Sequence, residues 1–149
     1  MRGGISFPFG KLELRLYQTV MWFTEEEWEE TSEIRWDYSM ENDYLFRSDS
    51  RLKWQEVNPG TTPSHSFILF KEISRKSGWN LALSGTWPES PHSREAEYTA
   101  SFTYRRLIYC DWLFMDISPG VSFPQVSDFE ENPFIILKFE MVCGNPPGR

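Results

Sequence analysis

The chain has 149 residues, 40% of them hydrophobic and 17% aromatic, with a formal net charge of −7. That size and composition suit one domain with a core of its own and exclude a disordered chain. An acidic balance repels nucleic acid and anionic membrane surfaces and attracts basic partners.

The first residues, MRGGISFPFGKLELRL, hold no continuous apolar h-region and no small-residue cleavage site. The expectation is a cytoplasmic protein without a secretion signal. The longest apolar runs, such as Phe134-Ile135-Ile136-Leu137, fall far short of the ~20 residues of a membrane helix. No membrane partner is expected.

Alternation at period two then dominates, the mark of half-buried strands. Leu12, Leu14 and Leu16 alternate with Lys11, Glu13 and Arg15. Ile34, Trp36, Tyr38 and Met40 alternate with Arg35, Asp37 and Ser39. Further strands are expected at Leu52–Val57, Ser66–Ile73, Trp79–Thr86, Ala96–Tyr104, Leu107–Ile117 and Ile135–Cys143. Tyr104-Arg105-Arg106 reads as the hairpin between two of them, and residues 118–133 as the longest stretch without strand character. Asn58-Pro59-Gly60, Ser77-Gly78, Ser118-Pro119-Gly120 and Asn132-Pro133 supply turn chemistry. The tail 144–149 reads as frayed.

One segment departs from this pattern. Thr24 followed by Glu27 fits a capping box, and Glu25, Glu26 and Glu27 in a first helical turn suit the helix dipole. The predicted fold is therefore mainly β: a single domain over residues 1–149, an antiparallel sandwich or small barrel of about eight strands, with one short acidic helix near residues 25–31.

The acidity is local. Residues 20–60 hold eleven acids and four bases, which accounts for the whole net charge; the remainder balances. A capped surface helix explains Glu25, Glu26 and Glu27 but not Glu29, Glu30 and Glu33, which would sit where the dipole disfavours anions. Glu25, Glu26, Trp28, Glu29, Glu30, Glu33, Trp36 and Asp37 are thus read as a landing surface for a basic protein, with the tryptophans as anchors.

Catalytic chemistry is thin. His65 and His92 are each followed by Ser, but neither has a hydroxyl residue two positions on, as a two-histidine phosphoesterase would need. Cys110 and Cys143 fall on faces that read as core, where thiols are inert. No zinc spacing, calcium loop, phosphate-binding glycine loop or nucleophile elbow occurs. The expectation is a protein that is not an enzyme and needs no metal or cofactor.

The leading functional reading is an acidic, cytoplasmic protein-binding protein that occludes a basic partner. It could be an immunity protein acting as a toxin inhibitor, or a phage-encoded inhibitor of a nucleic-acid enzyme. A second reading is a β-sandwich module that binds a carbohydrate or small apolar ligand through exposed Trp54 and Trp87. A third is a structural subunit of a phage or secretion assembly.

Overall fold

The computed structural model describes residues 1–22, 28–56, 60–87, 89, 96–110 and 112–141. Among these residues nine antiparallel strands form one open sheet in simple chain order: β1 (Arg2–Phe9), β2 (Leu12–Trp22), β3 (Trp28–Ser39), β4 (Tyr44–Gln55), β5 (Thr61–Ser74), β6 (Ser77–Thr86), β7 (Glu97–Tyr109), β8 (Leu113–Pro124) and β9 (Asn132–Met141). Each strand pairs with its sequence neighbours, so every connection is a hairpin, and β1 and β9 are the two free edges.

The expectation of a mainly β fold holds; the finer architecture does not. The sheet is open, neither a sandwich nor a closed barrel, and it has nine strands rather than about eight. The helix expected near residues 25–31 is replaced, from Trp28 onward, by strand β3. Its first half, residues 25–27, lies outside the described residues. A capping-box match is a local preference, and eleven cross-strand pairs between β2 and β3 override it.

Other boundaries move, and Ser77-Gly78 and Asn132-Pro133 open strands β6 and β9. The chain does not turn at Tyr104-Arg105-Arg106; β7 runs on to Tyr109 and reverses at residues 110–112. Cys110 therefore sits exposed in a turn at φ 46°, not on a core face. Strand β8 also runs through Ser118-Pro119-Gly120, where turn residues suggested a break.

The hairpins fall into two classes. At one end of the sheet the connections are tight, covering residues 10–11, 40–43, 75–76 and 110–112. Gly10 has φ +64°, as the first position of a two-residue hairpin turn requires, and Asn42 and Asp43 adopt φ 60° and 62°. At the other end every connection is longer: residues 23–27, 56–60, 87–96 and 125–131.

The alternation sorts side chains onto two faces. One face is polar and charged, with Glu13, Arg15, Glu33, Arg35, Asp37, Arg47, Asp49 and Arg51 in register across β2, β3 and β4. The other is apolar, with Leu14, Leu16, Ile34, Phe67, Leu81, Leu83, Phe102, Ile117 and Leu137. Burial runs opposite to the usual order. Among the described residues no hydrophobic side chain is buried, and the buried ones are Glu29, Glu33, Asp37, Asp49, Asp116 and Ser122.

Candidate functional site

The charged face is an ion-paired lattice. Asp37 on β3 accepts two hydrogen bonds from Arg47 on β4, at 2.6 and 3.1 Å. Arg35 donates to Glu33 at 2.6 Å and to Asp49 at 3.0 Å through Nε. Arg51 lies 2.9 Å from Asp49 and 3.4 Å from Glu33. Lys53 lies 2.8 Å from Glu29, which also accepts from Gln55 at 3.0 Å. Cross-strand register produces this: opposite charges stand directly opposite or one pleat apart, within reach of each other.

The lattice also reaches over whole strands. Arg2 of β1 lies 3.6 Å from Glu33 of β3, across β2, and its guanidinium covers the Tyr17 ring at 4.4 Å. On the far side, Arg105 of β7 lies 3.2 Å from Glu140 of β9, across β8. A hollow of about 670 Å³ opens on the same face, lined from β4 to β8 by Arg47, Phe70, Asn80, Thr103, Arg105, Phe114 and Asp116. Side chains thus converge over intervening strands, and Glu29, Glu33, Asp37, Asp49 and Asp116 are each under a tenth exposed, as concave curvature toward the charged face would produce.

The protonation states follow. A hydrogen bond from Arg15, and then one from the Ser6 hydroxyl, lower the Glu13 carboxyl to about 2. The Glu13 hydrogen bond raises Arg15. Burial works against the charge of Arg35, but its hydrogen bond to Asp49 and the nearby Glu33 and Asp49 charges outweigh it, and the group is raised. Hydrogen bonds from Arg105 and then Lys138 lower Glu140. Among the described residues one buried side-chain oxygen, Oδ1 of Asp116, has no hydrogen-bond partner.

The residues expected to form one basic-partner surface are divided by this arrangement. Glu29, Glu33 and Asp37 lie on the charged face, each paired with this chain's own Lys or Arg. Trp28, Glu30 and Trp36 lie on the apolar face, where Glu30 accepts from Gln18 at 2.5 Å. Glu25 and Glu26 lie outside the described residues. Much of the acidity belongs to the longer connections instead, which hold nine acids against one arginine, Arg94. The tight turns hold three acids and three bases.

Trp54 and Trp87 each pack on another aromatic ring: Trp54 on Trp28 at 4.6 Å, and Trp87 on Tyr98, donating to its hydroxyl at 2.8 Å. His65 lies on the apolar face, with Ser50 at 2.7 Å from Nδ1 and Ser48 at 3.4 Å from Nε2. His92 lies outside the described residues. No group of three or more His, Cys, Asp or Glu among the described residues is arranged to hold a metal ion.

Sequence reasoning missed strand β1, and with it Arg2 and the Ser6–Glu13 contact at 2.6 Å. The available signal was Ile5, Phe7 and Phe9 at period two before the Gly10-Lys11 turn. No protein-family model, curated protein or solved structure matches the chain.

Proposed function

We propose that the chain is a non-enzymatic structural protein, a stretch of barrel wall that turns a polar, ion-paired face inward and an apolar face outward to a hydrophobic surrounding. One observation carries this reading, the inverted burial: Asp49 is 4% exposed, whereas Trp36 is 50% and Leu137 59% exposed. A water-soluble domain arranges these residue types the other way round. Each such aromatic side chain leaves on the order of 100 Å² uncovered. The face as a whole therefore exceeds the few hundred Å² of apolar patch usual on a soluble monomer.

The other expected roles draw less support. An occluding inhibitor needs free carboxylates on one surface; among the described candidates Glu30 lies on the other face from Glu29, Glu33 and Asp37, and those three are paired with Lys or Arg. A sugar-binding module needs open tryptophan faces side by side, and Trp54 and Trp87 are each engaged with another aromatic ring.

Light scattering on the purified full chain, in plain buffer and in mild detergent, tests the proposal alongside circular dichroism. Strand-rich protein is expected only as an oligomer or a micelle complex, because something must cover the apolar face. A folded monomer in plain buffer would sink the reading.

A further inference from the structure

Resting on the barrel-wall reading, we propose that the surrounding on the apolar face is the hydrocarbon core of a lipid bilayer, which each strand crosses once. The first argument is the placement of amphipathic rings. Of the thirteen Trp and Tyr residues in the chain, only Tyr17 lies on the charged face. The others collect toward the two ends of the apolar face. Trp22, Trp28 and Trp54 stand in a row at the long-connection end, with Trp22 opposite Trp28 and the Trp28 ring 4.6 Å from that of Trp54. Tyr38, Tyr44 and Trp79 stand at the tight-turn end. Between the two rows the apolar face carries Leu14, Leu16, Ile34, Phe67, Leu83 and Leu137. Rings with one apolar side and one polar handle favour the two bilayer–water boundaries, and aliphatic side chains favour the region between.

The spacing fits as well. On β3 the rows are ten steps apart, from Trp28 to Tyr38, and on β4 ten steps, from Tyr44 to Trp54. Ten steps at ~3.3 Å make about 33 Å along a strand, which a tilt of about 40° brings close to the ~25 Å apolar band of a membrane barrel. A second copy packed face to face would require apolar contact but no such banding.

The two ends also differ, as they would in facing different compartments. One end has connections of two to four residues that balance in charge; the other has connections of five to ten residues rich in acid. Several polar groups on the apolar face pair with one another: Ser50 with His65, and Glu30 with Gln18, which in turn accepts from Ser32 at 2.9 Å. Glu30 lies one pleat from Trp28, toward the boundary. Lipid tolerates no open strand edge, so β1 and β9 are paired in the bilayer state. With nine strands they run in the same direction, and direct closure is a parallel pairing. The expectation of no membrane partner rested on apolar run length and on acidity; a strand needs only alternate apolar residues, and acidity repels anionic lipid headgroups rather than the hydrocarbon core.

The test is to dilute the urea-unfolded full chain into phosphatidylcholine vesicles, and into buffer alone, then float the vesicles on a density gradient. Strand-rich protein should float with the vesicles and resist alkaline carbonate. Its tryptophan emission should be quenched more by lipids brominated near the carbonyl than by lipids brominated at the acyl-chain ends. Ile34→Arg, near the middle of the face, should cut the floated fraction about tenfold or more, while Thr31→Arg on the charged face should not. Failure to float, whether as soluble or aggregated protein, overturns the bilayer as the surrounding. If the unfloated protein is a discrete folded oligomer with Ile34 covered, the barrel-wall reading survives; if it is a folded monomer, that reading falls too.

Discussion

Arg35 stands directly opposite Asp49 across the β3–β4 pair, and its Nε donates to Oδ2 at 3.0 Å. On the other face of the same two strands the neighbouring pair is Ile34 with Ser50, and Ile34 is 45% exposed. The buried partner is the charge and the open one is the hydrocarbon. Removing Arg35 leaves Asp49 with Arg51 alone. Arg35→Met is expected to destabilise the fold by about 3 kcal/mol, at the lower end for a broken buried pair. Arg51→Gln, at a half-exposed member of the lattice, is expected to cost about 1 kcal/mol or less. Urea unfolding in detergent micelles, followed by circular dichroism, measures both, and equal costs would contradict the burial order.

Glu13 gives a pH dependence. Its folded-state pKa, about 2, lies below the ordinary 4.5 because Arg15 and then Ser6 donate to the ionised form. Its contribution to stability is therefore fully present above about pH 4.5 and is lost as pH falls through 2. Glu140 is shifted in the same direction by Arg105 and Lys138. The resonances of β1 and β2 should stay native at pH 4 and change only toward pH 2. Ser6→Ala should move the Glu13 titration upward, and an unmoved titration would show that the 2.6 Å contact is not made.

Asp116 behaves differently from Asp49. Its Oδ1 has no partner, and its contact with Arg105 is 3.6 Å, while Arg105 keeps Glu140 at 3.2 Å. Asp116→Asn removes a half-satisfied buried charge and is expected to change stability by no more than about 1 kcal/mol. Asp49→Asn, which removes the negative charge two arginines share and turns one of its acceptor oxygens into a donor, is expected to cost more. A larger loss at Asp116 in the same unfolding assay would show that its free oxygen is in use.

Gly120 marks a close approach on the charged face. A Cβ there would overlap the Phe134 ring and meet the Ala100 carbonyl oxygen at 2.9 Å. Gly120→Ala is expected to destabilise by about 1–3 kcal/mol through overpacking. Phe134→Leu in the same chain should recover part of that. Gly3→Ala, with open space around it, is expected to be neutral.

Several of these features were legible in the sequence. Period-two alternation marked most of the strands, and Leu12 to Leu16 and Ile34 to Tyr38 were assigned to one face as the structure has them. The concentration of acid in residues 20–60 was also plain. Alternation separates two faces but does not say which is inside. A core and an open apolar face have the same pattern, so the alternation does not foretell that Trp22 and Trp79 stand in aromatic rows at the two ends of an open face. The helix expected near residues 25–31 failed because a capping box is weighed over a few residues, whereas β3 is held by pairing along its whole length to β2 and β4. The sequence by itself determined strands, turns and the sum of charge, because these depend on near neighbours. Only the tertiary structure decided that Glu29 and Glu30 point to opposite sides, that the carboxylates meet arginines from other strands, and that the tryptophans line up, because register joins residues far apart in the chain.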